Sequence, residues 1–346
     1  MMLDPQELGV VETDRQVHAA RCSPCGQYLF AGGFEGEVRR WDLDGEDSPE
    51  LQPLAGHHGW VQGLAFHPTE KRLFTADSWG ELRCWDYAAD EPAPCWIQES
   101  AHDGWIRCLA VSPDGKLVAS CGRDRRVRNW STVDGKPQYE YTGHEHDVYN
   151  LTFSPDGKFL VSGDDRGVVK KWNVLTAECE SEFDASSLYA YHRIQDVGGV
   201  RVLALDAAGK TLAVGGGKPS RGGTVQAVPT VLLFDFATGE LQHTLELGKP
   251  QDCYVHDLVL RPDNLVIAVT SGTPGNGQII FQRPTDEEPL FRSNKLANCH
   301  SIALHPDGRR FVVVATNKGS NGNGRRLDAD GNYIGNSSPL HWFELT

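Results

Sequence analysis

Hydrophobic residues recur along the chain in short groups that turn residues separate. In residues 143–174, the apolar positions of 148–153 precede the turn 154–157, and an apolar run follows at 159–161. A second turn leads to residues 168–172, which end in a tryptophan. Runs this short, rich in β-branched and aromatic residues and bounded by turns, predict strands rather than helices.

The turn at Ser154–Gly157 repeats along the chain. Its proline presets φ near −65° and its glycine tolerates positive φ, which together favour a tight hairpin. The equivalent turns begin at Ser23, His67, Ser112, Ser154, Asp206, Arg261 and His305, giving separations of 44, 45, 42, 52, 55 and 44 residues. A period of about 40–45 residues is typical of propeller arrays.

Each repeat has room for a fourth, outer strand, such as residues 178–183 of the unit above. One four-stranded sheet cannot bury both faces, whereas a closed ring of sheets gives each a neighbour and protects the edges. We therefore predict an all-β, seven-bladed β-propeller of four-stranded antiparallel blades, with residues 1–346 as a single domain. Because the chain ends in a third strand, we expect residues 7–12 to pair with it and close the ring.

An aromatic residue occupies the same place in each predicted third strand. These residues are Trp41, Trp85, Trp130, Trp172, Phe234, Phe281 and Trp342. Asp follows Trp41, Trp85 and Phe234, and Gly-His or Ala-His opens the units at residues 56, 101 and 143. The pattern resembles the WD-repeat family from about Val11 to the end, most strongly in units two to four. This resemblance implies the same seven-bladed fold and a role in binding proteins.

The resemblance also implies a buried hydrogen-bond network inside the third blade. The matching residues are His102, Ser120, Asp124 and Trp130. The alternative is a Ser-His-Asp catalytic triad, but a nucleophile must face an open site and this network should lie within a blade. Trp79 and Arg166 stand where Asp is expected in units two and four. We therefore expect most of the other networks to be incomplete or rearranged.

In this family, the loop entering strand one and the loop joining strands two and three lie at the same end of the propeller, the top. The second type of loop is long and unusual in units five, six and seven, at residues 215–229, 271–278 and 316–339. We read Gly215–Ser220 as a flexible hairpin loop, because it lacks the phosphate-loop pattern. A sector of Gly/Asn-rich loops is thus predicted over one side of the top. Arg325 and Arg326 are candidates there for contact with an acidic group.

In WD-repeat proteins, the residues flanking the first apolar position of strand one surround the top mouth of the channel and contact partners. Tryptophan, tyrosine and arginine are enriched in binding hot spots. Our candidate partner-binding residues are Trp60, Trp105, Arg107, Tyr149, Arg201, Tyr254, His256 and His300. The alternative for Trp60 and Trp105 is packing between blades. His18, His256 and His300 fall in consecutive units, but solvated or hydrogen-bonded imidazoles are the default and we assign no metal.

Composition narrows the classes of partner. The chain has 33 Lys+Arg against 47 Asp+Glu, a formal net charge of −14, which disfavours nucleic acid. The N-terminus lacks a secretory pattern, and no apolar run suggests membrane insertion. The nine cysteines are scattered and do not suggest a disulfide framework. We expect a cytoplasmic protein.

The sequence favours a non-catalytic scaffold, monomeric on its own and without a cofactor, that binds a protein or peptide at its top face. The alternative is a propeller hydrolase or lactonase-like enzyme with a metal or acid/base site at the channel mouth. For that enzyme, Asp257 beside His18, His256 and His300 is the only candidate set. A third possibility is a scaffold that binds through the blade sides or the bottom. The sequence does not identify the partner.

Overall fold

A computed structural model describes residues 4–45, 47–192, 194–220, 226–272, 275–317 and 335–345, which form an almost entirely β structure. Six of the seven predicted turns close with a hydrogen bond from the fourth residue to the carbonyl of the first, as Gly157 to Ser154 at 2.9 Å. Gly157 has φ +71°, the left-handed conformation that glycine adopts without strain. These turns join the first two strands of their blades.

The structure begins with strand β1, Gln6–Val11, which precedes blade 1. Blades 1 to 4 each contain four antiparallel strands in sequence order. They are β2 Val17–Cys22, β3 Tyr28–Gly33, β4 Glu37–Asp42 and β5 Glu50–Ala55; β6 Val61–Phe66, β7 Arg72–Asp77, β8 Leu82–Asp86 and β9 Pro94–Gln98; β10 Ile106–Val111, β11 Leu117–Gly122, β12 Val127–Ser131 and β13 Pro137–Tyr141; and β14 Val148–Phe153, β15 Phe159–Asp164, β16 Val168–Asn173 and β17 Cys179–Asp184.

Short 3-10 helices, Ser186–Leu188 and Pro250–Asp252, precede blades 5 and 6, and a two-stranded hairpin follows the first of them. The remaining strands are β18 Tyr189–His192 and β19 Gln195–Gly198 of that hairpin; β20 Val200–Leu205, β21 Thr211–Pro219, β22 Ala227–Asp235 and β23 Leu241–Glu246; β24 Tyr254–Leu260, β25 Val266–Ser271, β26 Gly277–Gln282 and β27 Phe291–Ser293; and β28 Ala297–Leu304, β29 Arg310–Thr316 and β30 Leu340–Glu344. None of the helices in the described ranges has the length and apolar run needed to cross a bilayer.

The seven blades form a closed ring. The first strands β2, β6, β10, β14, β20, β24 and β28 each contact the next around the circuit, so they line the central channel. In blade 7 the sheet order is β1-β30-β29-β28, so the N-terminal strand supplies the outer strand of the C-terminal blade. The β1–β30 pairing runs from Gln6 opposite Glu344 to Val11 opposite Leu340. The prediction of a seven-bladed propeller closed by its N-terminal strand is confirmed.

The core lies between blades rather than within them. Each of seven buried apolar clusters draws side chains from two neighbouring blades. Between blades 4 and 5, for example, Val161 and Phe183 pack with Leu203 and Phe234. Each sheet thus buries its faces against its neighbours, which is why a repeat of this kind is stable only in an array.

Two of the predicted long loops contain strand residues at both ends. Residues 215–219 extend β21 and pair with β22, so the prediction of a flexible loop at Gly215–Ser220 was wrong. A Cβ on Gly215 would lie 2.6 Å from Val202 Cγ1, and one on Gly217 would lie 2.6 Å from the Cys253 carbonyl oxygen. These glycines therefore allow neighbouring segments of the polypeptide to approach closely, and they do not make the segment flexible. Likewise Ser271 pairs with Gly277, so residues at both ends of the predicted loop 271–278 belong to strands β25 and β26.

The wide spacing between the fourth and fifth turns comes from the β18–β19 hairpin, which the sequence analysis did not predict. The hairpin lies between the outer strand of blade 4 and the first strand of blade 5, and it contacts β21. Its Tyr189 hydroxyl donates to Asp196 at 2.7 Å, and Arg166 of blade 4 pairs with the same carboxylate at 3.1 Å. The top of the propeller is therefore raised over blades 4 and 5 by ordered strands.

Candidate functional site

In blades 1 to 4, a backbone hydrogen bond fixes the residues at the top end of the first strand. The carbonyl of the residue before that strand accepts a hydrogen bond from the first residue after the second strand. This bond joins Phe34 to Gln16 at 3.3 Å, Ser78 to Trp60 at 3.0 Å, Arg123 to Trp105 at 2.9 Å and Asp165 to Asp147 at 3.0 Å. The side chains on either side of it consequently emerge at defined positions around the channel.

These positions surround a cavity of about 360 Å³ at the mouth of the channel. Its lining includes His18, Arg107, Tyr149, Arg201, His256 and His300. The sequence analysis selected five of these six residues as partner-binding candidates. It named His18 in the candidate set for the alternative enzyme site, not as a partner-binding residue. The structure brings all six to one opening from six different blades.

On one side of the mouth, aromatic rings alternate with guanidinium groups. Arg107 Cζ lies 3.8 Å from the ring centroid of Trp105 and 4.6 Å from that of Tyr149. Arg201 Cζ lies 4.3 Å from the Tyr149 centroid and 5.1 Å from that of Tyr254. Cations at these distances from ring faces are attracted to them, so the five side chains hold one another in place.

On the other side, five further side chains complete the circuit. Centroid distances are 6.4 Å for Tyr254–His256, 5.9 Å for His256–His300, 5.5 Å for His300–His18, 4.5 Å for His18–Phe34, 4.2 Å for Phe34–Trp60 and 5.5 Å for Trp60–Trp105. We call the complete circuit the mouth ring: His18, Phe34, Trp60, Trp105, Arg107, Tyr149, Arg201, Tyr254, His256 and His300. Edge-to-face contacts of this kind restrict the rotamers of every member.

The histidines of the mouth ring are uncharged near neutral pH. Burial lowers the pKa of His18 to about 4 and, together with the nearby His18, that of His300 to about 4. Burial also lowers the pKa of His256 well below its usual value, and the neighbouring His300 and Arg201 act in the same direction. The positive charge of the mouth ring therefore resides on Arg107 and Arg201.

Below the mouth ring, the carboxylate proposed as an acid/base group is already engaged. Asp257 Oδ2 accepts hydrogen bonds from Arg21 Nη1 at 3.0 Å, Ser301 Oγ at 2.9 Å and the Ile302 backbone N–H at 3.1 Å. These donors come from blades 1 and 7, so Asp257 of blade 6 ties three blades together inside the channel. Asp257 and Arg21 therefore form a structural ion pair.

Inside blade 3, the four residues that the family pattern selects form one hydrogen-bonded chain. Trp130 Nε1 donates to Ser120 Oγ at 2.8 Å, and His102 Nε2 lies 2.7 Å from the same oxygen. His102 Nδ1 lies 2.8 Å from Asp124 Oδ1. Burial lowers the pKa of His102, although Asp124 opposes that change. A neutral imidazole that accepts from Ser120 and donates to Asp124 satisfies every polar atom of the chain.

Blades 2 and 4 have a similar arrangement of side chains, but the carboxylate comes from the end of the second strand. His144 Nδ1 lies 3.0 Å from Asp164 Oδ2, and its Nε2 lies 2.8 Å from Ser162 Oγ, which accepts from Trp172. In blade 2, Thr75 and Asp77 take the places of Ser162 and Asp164. The network of blade 4 is thus rearranged rather than incomplete, whereas in blade 2 His57 Nδ1 lies 3.3 Å from Asp77 Oδ2 without a hydrogen bond to any described residue.

The aspartate at the end of the second strand also accepts hydrogen bonds from the turn that follows it. Asp164 Oδ1 accepts from the Arg166 and Val168 backbone N–H groups, each at 3.0 Å. Asp77 Oδ1 accepts in the same way from Trp79 and Glu81. One side chain therefore orients the histidine and caps the following turn. Because this aspartate lies beside the histidine, the blade does not need a second Asp at position 79 or 166.

Within the described residues, one group of three possible metal ligands lies close together: His57, Asp77 and Glu81. His57 Nδ1 lies 3.3 Å from Asp77 Oδ2 and 3.2 Å from Glu81 Oε1, deep in blade 2. Glu81 also pairs with Arg83, and Asp77 holds the turn described above. The three residues thus belong to the structural network of blade 2.

Phe34 is the member of the mouth ring that the sequence analysis missed, because it follows the second strand of blade 1 rather than flanking the first. Trp60, for which packing and partner contact were alternatives, packs against Phe34 and Trp105 and remains 42% exposed, so packing is confirmed and partner contact stays a prediction. The predicted contacts Arg325 and Arg326 lie outside the described residues.

Comparison with known proteins agrees with this architecture. Residues 7–42, 48–86, 95–131 and 135–173 match the family model of the WD domain, G-beta repeat. The chain is 32% identical over 110 residues to nuclear distribution protein PAC1-1 of Uncinocarpus reesii, which covers 32% of this chain and 24% of that protein.

Two further relatives give shorter or weaker matches. Nuclear distribution protein PAC1 of Arthroderma benhamiae is 34% identical over 91 residues, covering 26% of this chain and 19% of that protein. Nuclear distribution protein nudF of Aspergillus terreus is 28% identical over 102 residues, covering 30% and 22%. The matches thus span a quarter or less of these curated relatives. The chain is therefore a β-propeller of seven four-stranded blades that contains WD repeats, four of which match the family model.

Proposed function

We propose that this chain is a non-catalytic scaffold that binds a protein segment at the mouth of its channel. The observation that supports this most strongly is the mouth ring, a closed circuit of contacting aromatic, imidazole and guanidinium side chains. Tryptophan, tyrosine and arginine supply most of the binding energy at protein interfaces. Because the ring members already restrict one another, little side-chain freedom remains to be lost when a partner binds.

The size of the cavity favours a peptide or a protruding loop over a flat surface. A volume of about 360 Å³ accommodates one or two side chains, and the rest of the partner would lie across the rim. Trp60, which is 42% exposed, gives that rim an apolar surface. A partner could therefore combine one inserted anchor with aromatic contacts around it.

The arrangement of the candidate catalytic groups also favours a scaffold. The Ser-His-Asp set lies inside a blade, where Ser120 is fully buried and bonded to both Trp130 and His102. Asp257, the carboxylate nearest the mouth histidines, is held by Arg21 and Ser301. The similarity to nuclear distribution proteins is consistent with this scaffold function, and the nine free cysteines fit a cytoplasmic protein.

The test uses matched variants of the two ends of the propeller as baits in extract of the native cell. The mouth variant is Trp60→Ala with Tyr254→Ala. The control is Val133→Ala with Leu175→Ala, two residues 72% and 76% exposed in turns at the opposite end. Equal thermal midpoints would establish that both variants are folded.

We expect a protein that wild type and the bottom variant capture equally and that the mouth variant captures at least about tenfold less, a loss of about 1.4 kcal/mol. Undiminished capture by the folded mouth variant would contradict the proposal, especially if the bottom variant lost the same protein.

A further inference from the structure

The mouth ring holds two arginines without counterions. No carboxylate of the described residues lies within 4.0 Å of Arg107 or Arg201. By contrast, Arg21, the third arginine of the cavity, pairs with Asp257 at 3.0 Å. The chain as a whole carries a net charge of −14, so the absence of partners here is not a consequence of scarce carboxylates.

Hydrogen-bond donors at the same place are also unsatisfied. Arg107 Nε and Trp105 Nε1 are buried, and neither has an acceptor among the described residues. Buried donors without partners are rare in folded proteins, because each has lost its hydrogen bonds to water without replacement. The two residues are two positions apart at the start of β10, with the Arg107 guanidinium 3.8 Å from the Trp105 ring centroid.

Stacking leaves the guanidinium edges available, apart from Arg201 Nη2, which donates to the Gly198 carbonyl at 3.4 Å. Arg107 and Arg201 both contact the ring of Tyr149, at 4.6 and 4.3 Å from its centroid. A guanidinium that stacks by its face keeps its N–H groups in the plane, where they can bind a carboxylate or phosphate. Two like charges held around one ring also repel each other, and an anion between them would relieve that repulsion.

The other groups facing the cavity do not compete for an anion. His18, His256 and His300 are neutral, and the charges of Arg21 and Asp257 neutralise each other. Asp147 and Asp165 are acidic residues of the nearby rim, joined by a backbone hydrogen bond of 3.0 Å. Both are half-buried, and neither forms an ion pair with Arg107 or Arg201.

We propose that Arg107 and Arg201 form a receptor for one anionic side chain of the partner, a carboxylate or a phosphate ester, which inserts into the mouth beside Tyr149. This inference rests on the proposed function and specifies the chemistry of the inserted group. Trp105 Nε1 would donate to the same group or to the adjoining peptide carbonyl. The neutral histidines would form the opposite wall.

The test uses synthetic peptide pools with a fixed central residue and three random positions on each side. The central residue is Glu, Gln, Lys or phosphoserine. Retention of each pool is measured on immobilised wild type, on Arg107→Gln/Arg201→Gln, on Trp60→Ala and on the bottom control Leu175→Ala. Arg201→Lys, which keeps the charge and loses the planar stack, provides an intermediate variant.

We expect wild type to retain the Glu or phosphoserine pool at least about tenfold better than the Gln and Lys pools. The two anionic pools distinguish a carboxylate from a phosphate ester. The arginine double variant should lose this preference while keeping its thermal midpoint, and Arg201→Lys should keep part of it.

Two outcomes would overturn the inference and are distinguishable from each other. Equal retention of the Glu and Gln pools, with retention lost in Trp60→Ala, would leave the mouth as the binding site and exclude the anion receptor. Retention that neither Trp60→Ala nor the arginine substitutions reduce, or no retention of any pool, would contradict both the receptor and the proposed function.

Discussion

At the scale of single residues, the hydroxyl in the blade networks connects two buried groups. Ser162 Oγ accepts from Trp172 Nε1 at 2.7 Å and lies 2.8 Å from His144 Nε2. Thr75 makes the equivalent contacts in blade 2, so the chemistry requires a hydroxyl and not serine itself. The set resembles a catalytic triad only in composition, because its hydroxyl faces an indole inside the blade.

Ser162→Ala should lower the free energy of unfolding by about 2–4 kcal/mol, because it leaves an indole N–H and an imidazole nitrogen buried without partners. Urea unfolding measures the change. Ser162→Thr should cost less than the alanine variant, and Ser181→Ala, on the exposed outer strand of the same blade, should have little effect. An equal loss from Ser162→Ala and Ser181→Ala would show that the network does not stabilise the blade.

Acidification should destabilise the protein through the mouth histidines. His18 and His300 have pKa values of about 4 when folded, below the value near 6.5 of an unfolded histidine. Between pH 6.5 and 4 the unfolded chain therefore binds more protons, so stability is full above this window and falls as pH decreases through it. Each histidine should contribute less than about 1.4 kcal/mol per pH unit.

The measurement is the unfolding free energy at pH 7, 6 and 5 in wild type and in His18→Gln/His300→Gln. Glutamine already occupies the matching position of blade 2, as Gln62. The double variant should show a shallower loss, and an unchanged slope would contradict the assignment. Carboxylates form a separate window: burial opposes ionisation of Asp77 and Glu81, but His57 lowers both pKa values to about 2, so their contribution is lost only below about pH 4.5.

At the scale of elements, the residues of the turns predicted the strand order correctly, whereas a high glycine content did not predict a loop correctly. The seven turns and the closing strand could be predicted, because proline and glycine have specific backbone roles in a hairpin. The glycine run at 215–217 was misread, because glycine also appears in strands where another chain segment approaches closely. That approach comes from blade 6 and from the β18–β19 hairpin, which are distant in sequence.

Removing residues 1–11 should open the ring, because β1 supplies the outer strand of blade 7 and Val11 packs in the cluster between blades 7 and 1. We expect a lower thermal midpoint and faster amide exchange in β28–β30, with β10–β13 of blade 3 affected much less. The control is Glu7→Ala, which removes only the side-chain contact to His341. Unchanged exchange in blade 7 after truncation would contradict closure by this strand.

At the scale of the whole molecule, the sequence predicted which side chains reach the mouth but not how they contact one another. The repeat period placed Trp60 and Tyr254 immediately before the first apolar residue of strand one, and Arg107 immediately after it. Whether neighbouring residues touch depends on blade spacing and rotamers, which no local pattern encodes. The place of Phe34 in the ring and the lack of a counterion at the two arginines therefore emerged only from the structure.

Site-specific photo-cross-linking in the native cell tests the central claim most directly. A benzoylphenylalanine would replace Tyr254 at the mouth or, in a separate variant, Leu175 at the opposite end. The account predicts a protein adduct from position 254 and none of the same mass from position 175. An adduct only from position 175, with position 254 unreactive in folded protein, would contradict a partner-binding mouth.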